Sequence, residues 1–137
     1  MNNSRGAAAL QEGIETLKVL AEPVRLRILR LLLSAGKEIC VCELADSLLV
    51  PQYAVSRHVK ELEREGLVRS RREGKWVYYS AEKPGGGFHK KLLQAVLALP
   101  ENSAREDQKN FAKRLKLRAG GKCILGIQNK NLLPKGA

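Results

Sequence analysis

The sequence predicts a mainly α-helical domain with one small β-hairpin. Apolar residues recur with helical spacing in six segments, and glycine or proline lies between successive segments. A Glu73-Gly74 turn is flanked by residues that favour strands. The chain has 137 residues, of which 44% are hydrophobic and 28% charged, so it has the length and composition of a single globular domain.

Residues that start or stop helices set the boundaries of these elements. Proline suits the first turn of a helix, as at Pro23 and Pro51, whereas Gly36, Gly66 and Pro100 end helices. After a flexible leader at 1–8, the predicted helices and the hairpin span residues 10–20, 23–34, 41–48, 51–65, 67–80 (the hairpin), 88–99 and 101–118.

The apolar pattern of each helix predicts how deeply it is buried. The first helix is amphipathic, and the second is apolar almost all round and therefore belongs in the core. The fourth has a narrow apolar stripe of Val55, Val59 and Leu62, and the sixth is basic with little apolar content. A short third helix, a tight turn, a longer helix and then a hairpin are the layout of a winged helix-turn-helix.

Charge is concentrated in the second half of the chain. The net charge is +11, yet residues 1–51 carry six basic and six acidic side chains, whereas 52–91 carry ten and five and 101–137 carry nine and three. Such an excess predicts a polyanionic partner. The longest nearly apolar stretch, 92–99, is far shorter than the ~20 residues of a membrane span, and the N-terminus lacks a signal-peptide pattern. We therefore expect a cytoplasmic protein that makes no membrane contact.

The fourth helix and the hairpin carry side chains that suit double-stranded DNA. Gln and Arg pair with base edges, while Ser, Lys and Arg hold phosphates. If the apolar stripe faces the core, the DNA-facing side of the helix presents Gln52, Tyr53, Ser56, Arg57 and Lys60. Around the hairpin tip, where a wing meets phosphates, the candidates are Arg71, Arg72 and Lys75. The alternative is that these side chains form only a solvated helix face and a solvated loop, without a role in DNA binding.

Cys40 and Cys42 form a Cys-x-Cys segment at the start of the third helix. With Cys123 they cannot form a closed disulfide framework, and paired thiolates bind soft ions. On a regular helix, residues two apart point about 200° apart. Binding one ion through both sulfurs would then require the first turn to unwind, which would move the recognition helix. The alternative is that both are small buried core residues.

Two segments carry a family resemblance. KEICVCELADSL and SRHVKELEREGLVRSRREGKWVYYS resemble the ArsR–SmtB family of winged-helix metalloregulators over about residues 10–99, and Cys-Val-Cys-Glu-Leu is similar to its arsenite-sensing branch. The resemblance implies a homodimeric repressor, paired through about 9–20 and 88–99. It also implies release from an approximately palindromic operator when the inducer, As(III) or Sb(III), binds Cys40 and Cys42. It places His58 in the recognition-helix segment as well.

The sequence departs from that branch at one position. Ala45 stands where the best-known pattern has a third cysteine, so Cys123 is the candidate third metal ligand, from the same chain or its partner. We expect 9–99 to form the DNA-binding and dimerisation domain and 100–137 a basic extension that carries Cys123. Without Cys123, two thiolates would suit a monomethylated trivalent arsenical.

Other functions remain alternatives to an arsenical-responsive repressor. A disulfide or polysulfide between Cys123 and either other cysteine would make a redox or reactive-sulfur sensor on the same scaffold. A thiol enzyme is disfavoured because the sequence has no Cys-x-x-Cys and no general base beside the thiols. We therefore predict no enzymatic activity and no catalytic cofactor. A constitutive architectural DNA-binding protein is a further alternative.

Overall fold

The structure, a computed structural model, describes residues 3–132. It is mainly helical, with a small antiparallel sheet, as predicted. Its elements are α1 (Asn3–Leu20), α2 (Pro23–Ala35), β1 (Ile39–Cys40), α3 (Val41–Leu48), α4 (Gln52–Arg64), β2 (Val68–Glu73), β3 (Trp76–Ala81), α5 (Gly87–Leu97) and α6 (Arg105–Leu115). Short 3₁₀ turns cover Glu101–Ser103 and Lys130–Leu132.

Helices α3 and α4 form the predicted helix-turn-helix. Leu49 ends α3 in the left-handed conformation, with φ of 57°, and Pro51 is the N-cap of α4. The predicted apolar stripe of α4 faces the core, because Val55, Val59 and Leu62 are completely buried. This packing fixes which side of α4 is left for a partner.

The sheet has the strand order β1-β3-β2. Strands β2 and β3 are the predicted hairpin, which turns at Gly74 with φ of 60°. Strand β1 was not predicted, since two residues are too few to show an alternating pattern. It pairs Cys40 with Tyr78 and therefore joins the start of α3 to the wing.

The core is built around α2, whose Ile28, Leu29 and Leu32 are almost fully buried. Helix α2 ends at Gly36, which adopts φ of 62° as its C-cap and confirms the predicted stop. Helix α6 lies against α3, and its Phe111 joins the same core. The segment after residue 100 therefore packs beside the helix-turn-helix.

Three boundaries differ from the prediction. The leader expected at 1–8 is helical from Asn3 onward, because alanine-rich residues 7–9 extend the helix, and Met1 and Asn2 lie outside the described residues. The helix expected at 101–118 is a 3₁₀ turn followed by α6. Residues 119–129 are irregular as expected, and 133–137 lie outside the described part. Over residues 3–132, the helices are too short or too polar to cross a bilayer.

Candidate metal centre and nucleic-acid interface

Cys40 and Cys42 lie at the junction of β1 and α3. Cys40 is the N-cap of α3 and has an extended backbone, with φ of −69° and ψ of 150°, whereas Cys42 lies in the first turn of the helix. Because Cys40 is not helical, the separation of about 200° expected for two helical residues does not apply. The two Sγ atoms are 3.4 Å apart. The prediction that α3 must unwind to bring both sulfurs to one ion is therefore wrong.

Cys123 reaches the same place from the end of the chain. After α6 the backbone reverses through Gly120 and Gly121, which both have positive φ, and an isolated bridge pairs Ala119 with Lys122. This turn places Cys123 Sγ 3.5 Å from the Sγ of Cys42. A third thiol of the same chain therefore lies beside Cys42.

Together these residues form a candidate metal centre, which we call the thiol cluster (Cys40, Cys42 and Cys123). Their Sγ atoms all lie within 4.8 Å of one another, and all three side chains are buried. Within residues 3–132, no other group of three or more His, Cys, Asp or Glu side chains is close enough to hold an ion. Three thiols are a soft donor set, which fits a thiophilic metal or metalloid.

The three thiols differ in acidity. A hydrogen bond donated by the Cys42 thiol lowers the pKa of Cys40 to about 6, against the effect of burial. The same hydrogen bond, with burial, raises the pKa of Cys42. Burial also raises the pKa of Cys123. Cys40 is therefore the most acidic of the three thiols.

One buried ion pair on the flank of the cluster joins α6 to α3. Arg114 Nε donates to Asp46 Oδ2 at 2.8 Å, and both side chains are buried. Arg114 Nη2 is 3.7 Å from Cys42 Sγ and 3.9 Å from Cys123 Sγ, and it also donates to the carbonyl of Leu125. Arg114 therefore holds the returning tail against α3 and puts a positive charge beside two sulfurs.

A second buried ion pair lies on the other flank. Arg118 Nε donates to Glu43 Oε2 at 2.7 Å, and Glu43 is fully buried. Glu43 also accepts a hydrogen bond from the backbone N–H of Cys40 at 2.8 Å, and Arg118 donates to the carbonyl of Glu38. This pair ties the tail to the start of α3.

The cluster also contacts the wing. The backbone N–H of Cys123 donates to the Tyr78 hydroxyl at 2.9 Å, and Tyr78 is buried in β3. Next to Cys123, Lys122 forms an ion pair of 3.0 Å with Glu73 at the wing tip. The segment that carries Cys123 is therefore joined to the hairpin by a hydrogen bond and an ion pair.

Helix α4 presents most of its predicted DNA-facing residues to solvent. Gln52, Tyr53, Arg57 and Lys60 are exposed, Tyr53 to 74%, and Ser56 is half-buried beside them. His58 differs, because it packs toward the start of α2, with Nδ1 3.4 Å from Arg25 and 3.7 Å from Glu22. It therefore does not share the exposed face.

The predicted wing residues are all exposed, but they have different partners. Arg71 forms a two-pronged hydrogen-bonded pair with Glu38, at 2.8 and 3.0 Å. The Lys75 ammonium lies 4.9 Å from the centre of the Trp76 ring. Arg72 projects from β2 and is exposed. Contact between Arg71 and a phosphate would therefore compete with Glu38.

Comparison with known proteins identifies the family. The family described as "Bacterial regulatory protein, arsR family" matches residues 22–70. The chain is 32% identical over 101 residues to the arsenical resistance operon repressor of Escherichia coli (strain K12), covering 74% of this chain and 86% of that protein. The chain belongs to the ArsR family. It is also 36% identical over 83 residues to the arsenic resistance transcriptional regulator ArsR2 of Pseudomonas putida, covering 61% of this chain and 71% of that protein.

Solved structures agree with the ArsR-family fold. Reduced HlyU from Vibrio cholerae superposes with a TM-score of 0.58 at 30% identity, over 72% of this chain and 97% of that one. The repressor BigR from Xylella fastidiosa, at 24% identity, shares the fold with a TM-score of 0.57. The fold and relatives are those of DNA-binding transcription regulators and not of enzymes.

Sequence reasoning missed the charged residues around the thiol cluster of this ArsR-family chain. Glu43 carried a local signal, since a Glu three residues after an N-cap is typical of a capping box. Arg114 and Arg118 are four residues apart within the helix predicted over 101–118, but α6 ends at Leu115, so helical spacing does not place Arg118. The basic composition around them instead predicted a polyanionic partner.

Proposed function

We propose that this ArsR-family chain is a homodimeric repressor that leaves its operator when As(III) or Sb(III) binds Cys40, Cys42 and Cys123. The observation that carries the proposal is the convergence of three buried thiols within one protomer, directly beside the wing strand. A repressor with thiols in a reducing cytoplasm keeps them available as ligands. Several relatives are named as arsenical resistance operon repressors, two of them under the name "Putative arsenical resistance operon repressor", which supports this class of inducer.

The donor set accounts for the exchange chemistry. Arsenite in water is arsenous acid, with three hydroxyl groups on the arsenic. The three cysteine sulfurs replace these groups: three As–O bonds break, three S–As bonds form and three waters leave. Two of the three protons required come from the thiols of Cys42 and Cys123, and the third comes from Cys40 or, where Cys40 is already a thiolate, from solvent. No oxidant or reductant is required, and the buried position of the sulfurs protects the product from hydrolysis.

The wing is the proposed route from the cluster to DNA. Drawing the three sulfurs toward one atom moves Cys123, whose N–H is held by the Tyr78 hydroxyl. Tyr78 lies in β3 opposite both Cys40 and Arg71, so its displacement changes the hairpin that carries the wing cations. A ligand releases DNA only if it binds the altered form more tightly than the DNA-bound form.

The DNA contacts in this proposal come from α4 and the wing of two protomers. Exposed side chains of α4 would enter the major groove, and Arg72 and Lys75 would meet phosphates. The proposed dimer surface is the apolar face shared by α1 and α5, where Leu10, Leu17 and Phe88 remain exposed. Two copies would then present two recognition helices to an approximately palindromic site.

The test is arsenite titration into reduced protein bound to a fluorescent fragment of its own promoter, followed by anisotropy. We expect release at one arsenite per protomer, and no release from the Cys40→Ser/Cys42→Ser variant. A fragment of scrambled sequence controls for nonspecific binding. Tight promoter binding that ignores arsenite and antimonite would contradict the proposal.

A redox sensor is the second candidate, because the Cys42 and Cys123 sulfurs are already 3.5 Å apart. A disulfide bond requires about 2.05 Å, so a small shift is enough. Two thiols would give up two electrons and two protons to a peroxide, which is reduced to two waters. This candidate would be favoured over the first if peroxide released DNA and a dithiol reversed the release. Arsenite should then release no DNA.

A further inference from the structure

The two ion pairs beside the thiol cluster have no role in the exchange chemistry, yet both are buried. Asp46 and Arg114 are 7% and 3% exposed in their side chains, and Glu43 and Arg118 are 0% and 11%. Ion pairs removed from water are expensive to maintain and are often replaceable by apolar residues. Two such pairs around one cluster therefore call for a functional reason.

Their charges cancel around the sulfurs. Arg114 brings a positive charge to within 3.7 Å of Cys42 Sγ. The carboxylate of Asp46 balances this charge, with its Oδ2 atom 2.8 Å from Arg114 Nε. Backbone N–H groups of Gln128 and Asn129 also donate to Asp46 and stabilise its charge. On the other flank, Glu43 and Arg118 balance each other. The two ion pairs together therefore add no net charge beside the cluster.

We propose that these two ion pairs make the thiol cluster selective for trivalent over divalent thiophilic ions. The inference rests on the proposed function. Three thiolates bound to a trivalent ion are neutral as a whole, whereas three thiolates bound to a divalent ion keep one negative charge. A buried net charge is costly unless an opposite charge offsets it. With Asp46 and Glu43 paired to the two arginines, the ion pairs add no net positive charge to offset it.

The selectivity is tested by removing one anion at a time. Asp46→Asn and Glu43→Gln keep the shape of each side chain but leave Arg114 or Arg118 uncompensated. Full-length reduced protein is titrated with arsenite and with Cd²⁺ in separate chelator- or thiol-buffered competition experiments. Absorption of the metal–thiolate bonds reports binding, and the melting temperature reports folding.

We expect each variant to raise the ratio of Cd²⁺ affinity to arsenite affinity at least tenfold, because at an effective dielectric constant of ~20 one unit charge as far as about 12 Å away already has an effect of that size, and these charges lie closer. Glu82→Gln, which removes an exposed carboxylate paired with Arg69, is the matched control and should leave the ratio unchanged. Because the ratio cancels any general loosening of the site, a purely structural role would lower both affinities together.

The possible failures are distinguishable. If the wild-type protein binds neither arsenite nor antimonite, the proposed function is wrong and the inference falls with it. If the wild-type protein binds arsenite but Asp46→Asn and Glu43→Gln leave the ratio unchanged, the selectivity inference alone is overturned.

Discussion

Cys123 belongs to the thiol cluster because of where the fold places it, and its neighbours in the sequence give no sign of this. It lies 81 residues after Cys42, yet their sulfurs are 3.5 Å apart, and its N–H is bound by Tyr78. Cys42 lies between the other two thiols, within 3.5 Å of each. The choice between a site of two thiolates and one of three therefore depends on Cys123.

Replacing Cys123 with Ser tests the number of ligands. We expect arsenite affinity to fall by more than the roughly 10–100-fold that loss of an outer-shell partner costs, because a direct ligand is lost. Promoter affinity without arsenite should stay close to wild type. The measurements are arsenite titration by thiolate absorption and promoter anisotropy. Unchanged arsenite affinity would mean that Cys40 and Cys42 bind arsenic alone.

Tyr78→Phe separates sensing from response. The substitution removes the acceptor for the Cys123 N–H while the ring still fills its site, at a stability cost of about 1–3 kcal/mol for the unpaired buried donor. We expect arsenite to bind within a few-fold of wild type but to release DNA less completely. Tyr79→Phe, on the other face of β3, is the matched control. Equal arsenite-induced release from both variants would exclude Tyr78 as the link.

Among the elements, α4 has one face buried in the core and one face exposed to solvent. The stripe of Val55, Val59 and Leu62 anchors the helix in the core, while the opposite face remains exposed. The adjacent hairpin is joined to the thiol cluster through β1 and Tyr78. The proposed DNA-facing parts and the thiol cluster are therefore neighbours in one assembly of sheet and helix.

Arg57→Ala tests the face of α4. Arg57 is exposed in the middle of the proposed recognition surface, and we expect promoter affinity to fall by about 1–3 kcal/mol if it contacts a base. The control is Arg64→Ala, at the end of the same helix, where Arg64 pairs with Glu61. Promoter anisotropy at one fixed salt concentration measures both variants. Equal losses would show that only total charge matters.

For the whole molecule, the net charge of +11 overstates the positive charge that is free to contact DNA, because some basic side chains are paired within the chain. In the basic C-terminal segment, Arg114 and Arg118 are used in buried ion pairs, and Lys122 pairs with Glu73. A contribution of the tail to nonspecific DNA affinity would have to come from its remaining cations. Composition alone therefore overstates the charge that this segment presents to a partner.

Assembly is the second property of the whole molecule. A groove of about 370 Å³ lies between α1 and α5, and the exposed Leu10, Leu17 and Phe88 line it. We expect Leu17→Glu to give monomers in sedimentation and to weaken promoter binding strongly, since one protomer reaches one half-site. Leu117→Glu, at an exposed apolar residue outside this groove, should leave the assembly unchanged. A Leu17→Glu protein with the wild-type mass would rule out this surface.

Local patterns in the chain were enough to define most helices and the hairpin. These signals act over a few residues, so they can be recognised without knowing the fold: helical periodicity, the helix stop at Gly36 and the strand-favouring residues after Gly74. The apolar stripe of α4 was predicted for the same reason, and with it the exposed side of that helix. Cys40 and Cys42 could be selected because their spacing is local.

The geometry of the thiol cluster depended on contacts between distant residues. Pairing with Tyr78 holds Cys40 in extended conformation, which brings its sulfur beside Cys42 without unwinding α3. The return of the tail through two glycines brings Cys123 and Arg114 to the same place. Cys42 and Cys123 are 81 residues apart in the sequence. Only the packing of the whole domain offsets the entropy lost in bringing them together, and no local pattern encodes that packing.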